Sequence, residues 1–427
     1  MSKVLTAYPI AESAVSHTSR RLIIAACLGN IFESFDLYIF GIMGSTIAKL
    51  YFPAASDTAS LLIFLSTFGV TFCVRPLGAV YLGNLGDKIG RARVMSLSLL
   101  LMTVGMLIVA VTPTFATIGI AAPISVVIGR VLQGFSAGGE FGSATALLAE
   151  HHPQRRGFIT SWQAATQGFA LMSAAATGAL LTASLSPAQF DSWGWRMPFV
   201  FGALLGPVGL YLRRNTKKAS EFDRHTNVQP IVELLKFQKS RVVTGIGLIV
   251  LATIMLWMSV FLPTYAIRQF HMNSGIAFLG AVVCGATVFI LSPFVGLISD
   301  YVGRTVPMLI GTIAAALFGY PVFAMMKASP MLGTLITCSA ILGTIIALYF
   351  GPTPALMSEL FPASTRSSGL SISYSVGVTI FGGFAPLILT MLNVITANPL
   401  APSYYVIFGA AISTLSLCSV WWNLKIR

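Results

Sequence analysis

Gly83-Asn84-Leu85-Gly86-Asp87-Lys88-Ile89-Gly90-Arg91 returns in outline as Gly296-Leu297-Ile298-Ser299-Asp300-Tyr301-Val302-Gly303-Arg304. Gly, Asp, Gly and Arg recur in register, and Asp87 and Asp300 stand 213 residues apart, about half of a 427-residue chain. A second pair keeps nearly the same offset: Glu150 with Arg156, and Glu359 with Arg366. Two echoes at one spacing indicate a duplicated architecture. Each echo sits just after a long apolar run, so the repeated unit is built from apolar segments.

Composition says what solvent those segments meet. The chain is 56% hydrophobic and only 9% charged, where a soluble domain has about 25% charged residues; its mean hydropathy is +0.83. A membrane-spanning helix needs about 20 apolar residues. Apolar segments fall at 22–48, 59–84, 94–113, 116–149, 158–184 and 195–212, then at 242–267, 275–299, 306–326, 331–358, 368–396 and 403–423. The expected fold is an all-α integral membrane protein of twelve transmembrane helices in two six-helix pseudo-symmetric halves. Residues 1–21 read as a cytoplasmic tail, 22–212 and 242–427 as the two bundles, and 213–241 as a basic cytoplasmic linker. The first apolar segment is too long and too charge-bearing for a cleaved signal peptide.

Basic residues flanking spans resist translocation and so set orientation. With both termini cytoplasmic, twenty of the 26 Lys and Arg residues lie on the inner side. Lys49, Arg196, Arg268 and Lys327 lie outside, and Arg75 and Arg130 fall within segments 2 and 4. The net charge of +13 is therefore a topology signal, and no nucleic-acid partner is expected. The five cysteines are scattered singly in apolar segments, which argues against a disulfide framework or a metal site.

Segment by segment, the chain resembles the major facilitator superfamily, on Gly83, Asp87, Gly90 and Arg91 and their second copy. Four further stretches resemble its metabolite:proton symporter family: Gly29-Asn30-Ile31-Phe32-Glu33-Ser34-Phe35-Asp36, Arg75-Pro76-Leu77-Gly78, Arg130 through Glu140, and Gly194-Trp195-Arg196-Met197-Pro198-Phe199. The resemblance implies alternating access by two rocking halves and a small metabolite carried with a proton; the family includes carriers for citrate, 2-oxoglutarate, shikimate and proline or betaine. It also implies that Asp87, Arg91, Asp300 and Arg304 latch the inner gate.

The intramembrane charges all lie in the first half: Glu33, Asp36, Arg75, Arg130 and Glu140. Left unpaired, each would cost about 2.5–3.5 kcal/mol on insertion scales, so they must be paired, hydrated or protonated. Three acids and two arginines leave one acid over. Glu33 and Asp36, three residues apart, share a helix face, and neighbouring carboxylates raise each other's proton affinity. Depth counted by helix rise pairs Glu33 with Arg75 and Asp36 with Arg130. Proton coupling is expected at Glu33, Asp36, Arg130 and Glu140.

A guanidinium suits a carboxylate substrate, because its planar fork stays charged and holds both oxygens. Substrate contacts are expected at Arg75, Arg130, Gln163 and Gln167. The same ion pairs also serve simply to fasten the helices of segments 1, 2 and 4, and Gly134 and Gly138 suit close helix packing. The second half offers no charge at the centre of any segment. What remains there is Trp257, Tyr265, Tyr320, Tyr349, Tyr374 and Asn393, able to shape a pocket.

The Glu150-His151-His152 run is not read as a metal site, since adjacent helical side chains do not face one another. There is no phosphate-binding Gly-rich loop, so the expected driving force is a proton gradient with no cofactor. The expected protein is a monomeric transporter, not an enzyme, of a bacterial inner membrane. It imports a small organic acid such as citrate or tricarballylate; the alternatives are shikimate, a betaine or proline, or efflux of a drug.

Overall fold

The computed structural model describes residues 12–89, 91–151, 153–204, 206, 234 and 236–424. It contains helices and, among the described residues, no strand. The six apolar stretches of the first half and the six of the second each correspond to helix, the sixth only in its described first part. Among the described residues eight helices are long and apolar enough to cross a membrane, nine if the bent first one is a single span. α1 runs Glu12–Ile42 and continues as Gly44–Tyr51 beyond a 64° bend. α2 is Asp57–Cys73 followed by Arg75–Ile89, α3 Arg91–Val111, and α4 Ala121–Ala137 followed by Glu140–His151. α5 is Pro153–Ser184, and α6 follows the turn Gly194–Arg196 over residues 197–204.

The second half comprises α7 (Lys239–Phe270), α8 (Ser274–Val302), α9 (Thr305–Ala328), α10 (Leu332–Leu360), α11 (Arg366–Thr396) and α12 (Pro402–Trp422). Most of the linker at 213–241, and the tail before residue 12, lie outside the described residues; α1 nevertheless begins ten residues before the apolar run at 22–48.

Burial separates inner from outer helices. In α7, 94% of the most apolar stretch is buried, against 39% in α8, α9 and α12. The outward faces of these last three are covered by large apolar side chains such as Ile290, Leu317 and Leu415, the surface that hydrocarbon solvates. α7 is central because its neighbours come from both halves. Tyr38, Phe68 and Phe72 of α1 and α2 surround Trp257 on one side, and Ser413 of α12 hydrogen-bonds the α7 backbone at Leu251 on the other.

Without a water-driven hydrophobic force between them, membrane helices associate by close packing, which small residues permit. Glycine provides it at two interfaces. Within the first half, a Cβ on Gly134 would run into the carbonyl of Thr71, and one on Gly138 into the carbonyl of Arg75. α2 and α4 are thereby in backbone contact beside the charged residues. Between the halves, Gly168 meets Gly285 and Gly157 meets Gly296, so α5 and α8 touch at both levels.

One end of the bundle carries the turn between α8 and α9 and, among the described residues, Arg155, Arg156, Arg241, Arg304 and Arg366; it is called the basic face below. Here the halves are held together by charge. Asp300 of α8 accepts hydrogen bonds from the backbone N–H groups of Gly157 and Phe158, both at 2.9 Å, and pairs with Arg304 at 2.6 Å. Arg304 reaches Glu359 at 3.4 Å, and Arg366 of α11 pairs with Glu150 of α4 at 3.0 Å. The side chains of Asp87, Arg91, His151 and His152 lie outside the described residues.

Candidate functional site

The charged residues of the first half form two adjoining clusters. Arg75 opens the second part of α2, immediately after the helix is interrupted at Val74. Its Nη2 donates to Glu33 Oε1 of α1 at 2.6 Å, and its guanidinium stands 4.9 Å from the ring of Phe72. One turn along α1, Asp36 Oδ2 accepts from Arg130 Nη1 at 3.1 Å. Both pairings expected from depth are present.

The second cluster has a third member. Gln133, one turn after Arg130 on α4, donates from Nε2 to Asp36 Oδ1 at 2.9 Å and accepts from Arg130 Nη1 at 2.6 Å. Phe40 covers the guanidinium, 4.1 Å from its ring centre. Arg130 is fully buried, and its Nε and Nη2 have no hydrogen-bond partner. The clusters act on each other: Asp36 and Glu140 lie within electrostatic reach of Glu33, and Arg75 within reach of Arg130. Three carboxylates and two guanidiniums share one poorly solvated region.

A cavity lies between the halves at this depth, with room for roughly one water in about 20 Å³. Asn30, Glu33, Ser34, Tyr38, Arg75 and Gln167 border it from the first half; α7, α10 and α11 border it from the second. Two aromatic contacts across the halves bound it. Toward the basic face, Phe141 of α4 stacks on Tyr374 of α11 with ring centres 3.6 Å apart. Toward the opposite face, Trp257 of α7 sits edge-on to Tyr38, Phe68 and Phe72, with centres 5.1–5.4 Å away.

The expected site residues divide on this cavity. Arg75, Glu33 and Gln167 are on its wall. Arg130 and Gln163 are not: Arg130 is sealed between α1 and α4, while Gln163 lies one turn nearer the basic face with its Oε1 buried and unpartnered. Glu33 and Asp36 also part company. Three residues at 3.6 per turn leave them about 60° apart, so Glu33 borders the cavity while Asp36 turns toward α4.

Of the second-half residues expected to shape a pocket, Trp257 and Tyr374 border the cavity. Tyr265 donates to the Pro399 carbonyl and Tyr349 to the Leu248 carbonyl. Tyr320 is on the exposed surface, and Asn393 is buried away from the cavity. Sequence reasoning gave no role to Tyr38, which donates to Gln167 Oε1 at 3.1 Å, or to Asn30, which ties α1 to Thr166 and the Gln163 carbonyl of α5. The signal was present for Gln133, three residues from Arg130 and on its face.

A match to the profile of the Major Facilitator Superfamily extends over residues 26–386. The chain belongs to this superfamily. It is 34% identical over 398 residues to a citrate-proton symporter of Klebsiella pneumoniae, covering 92% of this chain and 90% of that one. A proline/betaine transporter of Escherichia coli K12 is 30% identical over 418 residues, covering 93% and 82%. Among solved structures, a crystal structure of a D-xylose-proton symporter superposes with a TM-score of 0.74 at 17% identity, covering 94% and 97%. A second, of a proton:xylose symporter bound to 6-bromo-6-deoxy-D-glucose, gives 0.77 at 14%, covering 95% and 96%. At such identity the structures speak for the fold. This superfamily member is a multi-pass membrane transporter, not an enzyme.

Proposed function

We propose that this transporter is a proton-coupled symporter that imports a small organic acid by alternating access. The observation that supports it is the Glu33–Arg75 pair on the wall of the central cavity, with the Asp36–Arg130–Gln133 cluster sealed beside it. Protonation of Glu33 frees Arg75 to hold a substrate carboxylate in its place, and the desolvated setting strengthens that contact. Proton and substrate are then tied to one exchange. Asp36, which Arg130 and Gln133 hold in position, is the acid through which the proton reaches Glu33, and Glu140 adds negative charge near Glu33.

The second half supplies the moving counterpart of the cavity. The Asp300 contacts with α5 and the Arg366–Glu150 pair close the basic face, and their separation opens it. That face is the cytoplasmic one, with both termini inside, on the asymmetry of Lys and Arg; the membrane is a bacterial inner membrane. No cofactor enters the cycle, the proton gradient drives it, and one chain suffices.

Relatives named for citrate make tri- and dicarboxylates the first acids to test, and those named for proline and betaine supply the second reading. Uptake of labelled citrate, tricarballylate, 2-oxoglutarate, shikimate and betaine into cells, with and without an uncoupler, is the direct test. Accumulation of one of the acids that collapses with the uncoupler is the expected result. Accumulation indifferent to the uncoupler would sink the proton claim, and accumulation of betaine alone would sink the acid.

A further inference from the structure

α1 and α7 meet the cavity through the same five positions. Asn30, Glu33, Ser34, Leu37 and Tyr38 border it from α1; Ile249, Ala252, Thr253, Leu256 and Trp257, each 219 residues later, border it from α7. The spacing, one turn and two turns apart, is that of a single helix face. The repeat has kept the face and changed its chemistry. An amide on α1 is replaced by isoleucine on α7, and a carboxylate by alanine; a hydroxyl remains at Thr253, where Oγ1 is buried without a partner. Phe350 and Val378 extend the apolar wall. Tyr374, although on α11, carries its hydroxyl beside Arg75 and Gln167 and so adds to the polar wall opposite.

The cavity is therefore two-sided. One side holds a cation, a carboxylate, an amide-rich edge and phenol hydroxyls, with Leu37 and Phe141 among them. The other holds hydrocarbon, two aromatic rings and one hydroxyl. No Lys, Arg or His stands in the middle of any second-half span, so no cation can reach the apolar wall from behind it. From the asymmetry of these two walls we infer that the carried acid is amphipathic: as the halves part to admit it, its carboxylate is held at Arg75 and an apolar body lies against Ile249, Ala252, Leu256, Phe350 and Val378.

This inference rests on the reading above, that the central cavity takes an organic acid, and it departs from the tricarboxylates suggested by similarity. A single guanidinium neutralises one carboxylate. A second or third ionised carboxylate, pointing away from Arg75, meets hydrocarbon, and burying a charge without a partner is among the costliest arrangements in a protein. A monocarboxylate incurs no such cost, and a ring hydroxyl on its far side can satisfy Thr253.

Full-length protein in lipid nanodiscs is titrated calorimetrically with cyclohexanecarboxylate, 4-hydroxybenzoate, citrate and tricarballylate. The expected result is that the two monocarboxylates bind at least about tenfold more tightly than either tricarboxylate, and that Arg75→Ala weakens their binding at least about tenfold. Leu256→Asn, which places a polar group on the apolar wall, should narrow that gap by strengthening tricarballylate. Citrate or tricarballylate binding as tightly as the monocarboxylates overturns the inference while leaving the acid reading intact. Silence from all four acids, with betaine bound, overturns the acid reading and the inference together.

Discussion

Replacing Asp36 by asparagine separates the structural and the coupling contributions of the buried cluster. Asp36 Oδ1 accepts from Gln133 and Oδ2 from Arg130, at 2.9 and 3.1 Å. An amide keeps one acceptor and turns the other into a donor, so it opposes either Gln133 Nε2 or Arg130 Nη1 with like polarity. Arg130 meanwhile stays fully buried without its carboxylate. Removing one member of a buried pair costs about 3–5 kcal/mol, so the melting temperature of Asp36→Asn in nanodiscs should fall well below wild type. Adding Arg130→Met removes the orphaned charge and should recover part of the loss.

The transport effect is larger and of a different kind. A gradient of two pH units is worth about 2.7 kcal/mol per proton, a factor of about 100 in accumulation. In proteoliposomes given such a pH jump, Asp36→Asn should concentrate nothing, while exchange of internal for external labelled acid, which needs no net proton movement, continues. A folded Asp36→Asn protein that still concentrates its substrate a hundredfold refutes the assignment and moves the coupling role to Glu33 or Glu140.

Three further outcomes are expected. Arg75→Ala should weaken acid binding at least about tenfold, since it removes a charged hydrogen-bond partner worth about 1.5–3 kcal/mol; unchanged affinity in a binding titration would place the substrate elsewhere. Gly138→Val should prevent assembly, because any side chain there strikes the Arg75 carbonyl and the Ala79 N–H on α2; a wild-type melting curve would contradict the close approach. Asp300→Asn should loosen the basic face while sparing most of the stability. Cysteines introduced near Gly157 should then react faster with a polar maleimide, and an unchanged labelling rate would count against a gate there.

The chain order of apolar segments and the duplicated loops were enough to read twelve helices in two halves, because bilayer thickness fixes span length and a repeat fixes symmetry. Height along the membrane normal was equally legible: counting rise from the helix ends paired Glu33 with Arg75 and Asp36 with Arg130. What counting cannot supply is azimuth. Arg130 and Gln163 stand near the cavity in depth but face other helices, since the direction a side chain points depends on how α1, α4 and α5 are rotated against their neighbours. The breaks in α2 at Val74 and in α4 at Gly138 and Gly139 were hidden for a related reason. Apolar runs continue through them, and only the packing of α2 on α4 turns them into joints. Tyr38 and Asn30 escaped notice because an aromatic residue and an amide on a membrane helix are unremarkable until the opposing wall is known.

The paired faces of α1 and α7 also bear on how such a carrier diversifies. Under the coupling proposed above, energy conversion would be concentrated on one copy of the repeat, where Asn30, Glu33 and Tyr38 are committed to an ion pair or an amide contact. The other copy would then face the cargo with replaceable hydrocarbon. A lineage can then drift at Ile249, Ala252 and Leu256, trying new cargoes one substitution at a time, without disturbing the acid–arginine engine opposite. Duplication followed by such a division of labour leaves half of the binding wall free to evolve while the other half is held nearly fixed.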